Sequence, residues 1–206
     1  MKLLLGTTNA GKIRELRAIL EGLGFELVSL RDLADAPEVE EDADTYLENA
    51  GKKASTLARW SGLPTLADDS GLEVAALGGA PGVRSARYAG PQQDAVANRR
   101  KLLQALAGVA EPERAARFVC VIIVARLDGA MLESTGICEG RITTVEKGDG
   151  GFGYDPVFFY EPAGCTMAEM GEVAKNAVSH RGRAAVALRG RLETFLRVGT
   201  ESTGNE

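Results

Sequence analysis

The chain has 206 residues, room for one domain of ordinary size or two small lobes around a real core, and its 45% hydrophobic and 26% charged make-up is that of a soluble globular protein. A net charge of −5 speaks against a nucleic-acid partner, because such proteins usually carry a basic face, although local lysines and arginines can still build a pocket for a small anion. No stretch reaches the roughly 20 apolar residues of a membrane span, Met1-Lys2 opens no cleavable signal, and Cys120, Cys138 and Cys165 show no metal-clip spacing, so reduced, mostly buried thiols in the cytoplasm are expected.

Residues 2 to 5 read as a strand and 11 to 23 as a helix, with Ile13, Leu16, Ile19, Leu20 and Leu23 at helical spacing and Gly22 and Gly24 ending it. "FELVSL" supplies a second strand, and an acidic stretch, "ADAPEVEEDAD", follows. A helix over about 45 to 61 places Tyr46, Leu47, Ala50, Ala54 and Leu57 largely on one face. "PTLADDSGLEV" reads as strand, turn, strand, and "LGGAPGVRSARYAGP" as irregular loop. After a helix over 92 to 107, "ARFVCVIIVARL" is the strongest strand of the chain, paired with "AMLESTGICEGRITTV" through a turn at Asp128-Gly129. The loop "KGDGGFGYDP", a short strand "VFFY" and a helical segment from about 179 to 197 complete the order. The mix is α/β, with a mixed sheet rather than a doubly wound parallel one. Residues 1–197 form one domain, and 198–206 a frayed polar tail.

Gly6 and Gly11-Lys12 match the spacing G-x-x-x-x-G-K of a phosphate-cradling loop, but Ile13 stands where that motif needs a hydroxyl for magnesium. A strand, a glycine turn and a helix start aim backbone N–H groups and the positive end of a helix dipole at one point. Thr7, Thr8 and Asn9 add short donors there and Lys12 adds a charge. An ordinary βα turn with a solvated lysine is the bland alternative. If phosphate binds here, any metal must be held elsewhere. Asp68 and Asp69 in "ADDSG" should face opposite ways along a strand, one entering a cleft and the other bracing the turn. Glu38, Glu40 and Glu41 offer further carboxylates of the kind Mg²⁺ takes, though most of that run must be a solvated loop. In "GGFGYDP", glycines let the backbone approach a ligand and Phe152 or Tyr154 could stack on a planar base; a tight turn with its aromatics in the core fits equally well. Ser179 caps the last helix, and His180, the only histidine, and Arg181 lie in its first turn, with Lys175 upstream. Cations there oppose the dipole unless a ligand offsets them, or they form a plain surface cluster.

Together and in order, "TTNAGK", "ENAGKKA", "ADDSGLEV", "GAPGVRSARYAG", "GGFGYDPVF" and "SHRGRA" resemble the inosine triphosphate pyrophosphatase family, the bacterial dITP/XTP pyrophosphatases, from residue 3 to about 190. The resemblance implies a two-lobed α/β fold around a long, mixed, twisted central sheet, helices on both sides, the active cleft between the lobes, and a homodimer. It implies Mg²⁺-dependent hydrolysis of ITP, dITP and XTP to monophosphate and pyrophosphate. Transferred by position, Thr7, Thr8, Asn9, Ala10, Gly11 and Lys12 hold the triphosphate with Lys53, and Asp69 is the catalytic carboxylate beside Asp68 and Ser70. Asp69, Asp68 and either Glu40 or Glu41 would serve the metal, and Phe152, Gly153, Tyr154 and Asp155 with Lys175, His180 and Arg181 form the base and sugar pocket. One departure is Arg84, where the family commonly shows tyrosine. The competing readings are a Maf-like nucleotide pyrophosphatase for pyrimidine or modified nucleotides, a P-loop NTPase, and a silent nucleotide-binding module.

Overall fold

The structure, a computed structural model, describes residues 1–198. Apart from Val198, which ends a helix, the expected tail lies outside the described residues. Strand β1 (Lys2–Leu5) is buried along Leu3, Leu4 and Leu5, as befits a strand with parallel neighbours. Helix α1 (Ala10–Leu20) starts where the Asn9 side chain accepts from the Lys12 N–H, and it ends before Gly22, whose φ of 79° leaves the helical region. Strand β2 (Glu26–Ser29) follows, then helix α2 (Tyr46–Ser61), capped by Thr45 and stopped by left-handed Gly62. Leu47 does not join the buried face of α2: it is exposed, while Asn49, Ala50, Ala54, Leu57 and Ala58 are buried.

Residues 65 to 74 depart from the expected strand, turn, strand. They form one continuous strand, β3 (Thr65–Val74), buried through Asp68 and Asp69. A turn there would let water solvate the two carboxylates. Side-chain partners satisfy them instead, and the backbone stays in the sheet. Next come β4 (Pro81–Gly82), α3 (Ala95–Ala105), β5 (Ala115–Ala125) and β6 (Met131–Ile142). The β5–β6 connection turns at Asp128-Gly129 as expected, with Gly129 at φ 86° and the Arg126 N–H donating to Ala130 O at 2.9 Å. Strands β7 (Phe158–Tyr160) and β8 (Cys165–Thr166) precede α4 (Glu172–Val178) and α5 (His180–Val198).

Among the described residues the strands form one mixed sheet in the order β2-β1-β3-β5-β6-β7-β8, with β4 on β3. β1 is parallel to β2 and β3, whereas β4 is antiparallel to β3, and β7 to β6 and β8. No helix is long and apolar enough to cross a membrane, among the described residues.

The chain divides into two compact units. The first comprises Met1–Asp69, Cys120–Gly136 and the described part of Arg181–Glu206; the second comprises Ser70–Val119 and Ile137–His180. In the first unit, Leu3, Leu5, Leu16, Leu20 and Leu66 pack with Ile122, Val124, Leu188 and Leu192. In the second, Leu72, Leu102 and Leu106 pack with Phe118, Ile142, Tyr154, Phe158 and Met167. Each fully buried leucine contributes about 1.5–3 kcal/mol, so both units have a core of their own to hold a site rigid.

Candidate active site

In the first unit the loop after β1 is shaped by packing. A Cβ on Gly6 would stand 3.0 Å from Leu57 Cδ1 and 3.2 Å from Ala67 Cβ, so any side chain here would force α2 and β3 to give by a few tenths of an ångström. Thr8 and Asn9 are exposed and Thr7 half-buried. The Thr7 hydroxyl accepts from the Asn9 N–H at 3.2 Å, and Thr8 O accepts from Arg31 Nε at 2.9 Å. Ala10 and Gly11 open α1, where first-turn N–H groups have no partner within the helix. Lys12 turns inward, its Nζ 2.9 Å from Asp68 Oδ2.

Asp68 and Asp69 do take opposite roles. Asp68 is fully buried, and its Oδ2 also receives Arg181 Nε and Nη2 at 3.3 and 3.2 Å. Arg181, itself 1% exposed, reaches Glu15 with Nη1. Burial opposes the Asp68 charge, yet Lys12, Arg181 and Lys53 hold its carboxyl well below the usual carboxylate range. Asp69 is shifted the other way. Burial and then the negative Glu41 push its pKa up, only partly offset by Lys12, the Asn49 hydrogen bond and Lys53. Asn49 Nδ2 donates to Asp69 Oδ2 at 3.0 Å. Lys53 pairs with Glu41, and although burial works against its charge, Glu41, Asp68 and Asp69 raise its pKa.

The other expected metal carboxylates lie in different surroundings. Asp68 is held by Lys12 and Arg181, which leaves its charge already balanced, and Glu40 is exposed. Glu41 is the glutamate whose charge acts on Asp69. Among the described residues no group of three or more His, Cys, Asp or Glu is arranged to hold a metal. Asp69, with the negative Glu41 acting on it, nonetheless suits a divalent cation that takes one or two protein ligands and completes its shell with phosphate and water.

The second unit carries the glycine loop. Asp155 is buried, and its Oδ2 accepts from the Phe152 N–H at 2.7 Å and from Lys175 Nζ at 2.6 Å. Lys175 Nζ also lies 4.7 Å from the centre of the half-buried Phe152 ring. Gly153 O accepts from Arg99 Nη1 at 2.8 Å, and Arg99 Nε pairs with Glu146 at 3.0 Å. The Tyr154 hydroxyl donates to Ser85 O at 2.8 Å; burial pushes its pKa up, so Tyr154 is a core anchor of the loop. Ser70, half-buried, opens this unit on β3. His180 is 8% exposed and lies nearly parallel to Phe118, ring centres 4.6 Å apart at 13°. Arg84 is exposed at the start of a short 3-10 turn, Ser85–Arg87.

Arg181 was expected beside His180, but the two belong to different units and the Arg181 guanidinium is engaged by Asp68 and Glu15. A helix start alone could not reveal this, because adjacent residues of a first turn point about 100° apart. Sequence reasoning also passed over Glu15, Asn49, Arg99 and Phe118. Glu15 had a signal: a charged residue between Ile13 and Leu16 on the apolar face of α1, where a carboxylate survives only when paired.

A βα loop, inward lysines and an arginine gather around two buried aspartates on an α/β scaffold. The chain belongs to the Ham1 family, whose model matches residues 3–191. It is 53% identical over 195 residues to the dITP/XTP pyrophosphatase of Syntrophobacter fumaroxidans, covering 95% of this chain and 83% of that one. To the dITP/XTP pyrophosphatase of Geobacter sulfurreducens it is 52% identical over 191 residues, 93% and 96% of the two chains. The solved HAM1 protein of Coxiella burnetii superposes with a TM-score of 0.85 at 39% identity, over 94% of this chain and 99% of that one. The resemblance read from the motifs is borne out.

Proposed function

We propose that this chain hydrolyses non-canonical purine nucleoside triphosphates, dITP, ITP and XTP, to the monophosphate and pyrophosphate. The observation that carries the reading is the opposed pair on β3. Asp68 is held ionised by Lys12 and Arg181, while its neighbour Asp69 is pushed up by burial and Glu41. Adjacent carboxylates driven apart in pKa mark a division of labour, one structural and one catalytic. A raised pKa brings Asp69 closer to the range in which a carboxylate takes a proton from an attacking water.

The first unit supplies the groups for the triphosphate: the Thr7–Lys12 loop, Lys12 and Lys53. Asp69 and Glu41 would hold Mg²⁺, which when bound neutralises phosphate charge. Arg181 and Glu15 keep Asp68, and through it Lys12, in place. Opening a phosphoanhydride needs positioning and charge neutralisation more than covalent chemistry, so this donor set is sufficient in kind. Phe152 to Asp155, Lys175 and His180 are the groups we assign to the base and sugar. Inosine and xanthine carry an oxygen at C6 where adenine carries an amino group, and a donor such as His180 favours the oxygen. A cytoplasmic homodimer is the assembly we expect, supported by the family resemblance and by three free cysteines.

The test is a panel of dITP, XTP, ATP, dUTP and dTTP at equal concentration with Mg²⁺, with products identified. Pyrophosphate and monophosphate from dITP and XTP are expected. Orthophosphate with a diphosphate would indicate a γ-phosphate hydrolase, preference for dUTP or dTTP a Maf-like enzyme, and binding without turnover a silent module.

A further inference from the structure

We infer that Phe118 on β5 is a specificity-positioning residue: its ring sets the plane in which His180 meets the purine base. The inference deepens the proposed function and rests on its assignment of His180 to the base.

A histidine at the first position of a helix can swing about two side-chain torsions, and a hydrogen bond to a purine oxygen depends on the direction of the ring N–H. Selectivity for that oxygen therefore requires the imidazole to be held before the base arrives. In the second unit it is held by a flat surface. Phe118 and His180 lie 13° from parallel with ring centres 4.6 Å apart, and both are more than nine-tenths buried. Phe118 in turn packs against Phe158, ring centres 4.5 Å apart at 41°. Phe158 is fully buried in the core that also contains Tyr154, Val157 and Met167. The orientation of His180 is thus referred through two aromatic rings to the same core that anchors the glycine loop at Tyr154. A leucine would fill much of the space of Phe118, but it offers no plane for the imidazole to lie against.

Because the protein has a single histidine, its carbon-bound imidazole protons form a resolvable NMR reporter that needs no variant. In the native protein these resonances should lie upfield of a free imidazole, shielded by the Phe118 face. Resonances at the free-imidazole position would overturn the inference. In Phe118→Leu they should move downfield, and the ITP-over-ATP ratio of kcat/KM should fall about three- to tenfold, the span that an aromatic pair's energy allows. The loss should appear mainly as a raised KM for ITP, and Phe118→Tyr, which keeps the ring, should retain the ratio. If Phe118→Leu lowers only the thermal midpoint and leaves the ratio unchanged, Phe118 is a core filler and the inference fails. His180→Ala separates this from the reading beneath it. An unchanged ratio in His180→Ala removes His180 from base recognition altogether, whereas a reduced ratio there beside an unchanged one in Phe118→Leu sinks the positioning role alone.

Discussion

Asn49 ties Asp69, the proposed catalytic carboxylate, to the acidic loop. Its Nδ2 donates to Asp69 Oδ2 at 3.0 Å and to Ala43 O at 3.3 Å, while its Oδ1 accepts from the Ala43 N–H at 3.0 Å. One fully buried amide therefore fixes both the strand that carries Asp69 and the segment that carries Glu41. Asp69→Asn should keep the fold, because an amide oxygen can still accept from Asn49, yet lower kcat by about a thousandfold, the scale of a lost general base with its charge. Asn49→Leu should lose turnover and stability together, about 1–3 kcal/mol for the Ala43 groups and Asp69 left unsatisfied. Thermal unfolding and steady-state kinetics on the same samples distinguish the two. Near-wild-type turnover in Asp69→Asn would remove that residue from its role.

The buried string Glu15–Arg181–Asp68–Lys12 should be intolerant of losing its middle. Arg181→Met strips two buried carboxylates of their shared cation, and breaking a buried pair from one side costs about 3–5 kcal/mol. Glu15→Gln keeps the volume and a hydrogen-bond acceptor, so it should cost less. Chemical denaturation should show that order, and an Arg181→Met protein as stable as the parent would dissolve the structural account of this arginine.

Acid should act through the same string. The folded pKa of Asp68 lies below the ordinary aspartate value of 3.8, so unfolding takes up a proton there. Its contribution is complete above that value and is lost as pH falls below it. Between pH 6 and pH 3 the thermal midpoint should drop more steeply in the parent than in Asp68→Asn, which has no carboxyl at that position to titrate. Parallel slopes would place acid sensitivity elsewhere.

The strands and helices were legible because their signals are local: Leu3 to Leu5 as a continuous apolar run, Ala50, Ala54 and Leu57 as one face of α2, Asp128-Gly129 as a turn. The block order also carried the identity of the residues to inspect. Partners were not legible. Asp68-Asp69 resembled a turn because two adjacent carboxylates are usually solvated. What kept them in a strand was Lys12, Arg181 and Asn49, brought from three other elements. Arg181 and His180 are neighbours in the chain, and nothing in their spacing says that one faces Glu15 and the other Phe118.

The cysteines should differ in reactivity. Burial, with the negative Asp68 nearby, pushes the Cys120 thiol up to about 12, and the thiolate is the reactive form. Cys138 is fully buried and Cys165 half-buried. A disulfide reagent on the native protein should label Cys165 first, leave Cys120 unreacted between pH 7 and 9, and reach all three only in denaturant. Rapid native labelling of Cys120 would contradict its burial against Asp68.

Gly151 and Gly153 offer a matched pair within one loop. Both have positive φ, 69° and 62°, so an alanine at either costs about 1–2 kcal/mol of backbone strain. Their surroundings differ. A Cβ on Gly151 would fall 2.1 Å from Asp155 Oδ2, the atom that accepts from both Phe152 and Lys175, whereas a Cβ on Gly153 meets nothing within 4 Å. Gly151→Ala must therefore push Asp155 off its two donors, and the loss should appear as a KM for ITP raised about tenfold or more, on the scale of a disrupted charged hydrogen bond. Gly153→Ala should lower the thermal midpoint by a similar strain increment with KM within about twofold of the parent. Equal KM effects at the two positions would mean that the Asp155–Lys175 pair has no part in holding the nucleotide.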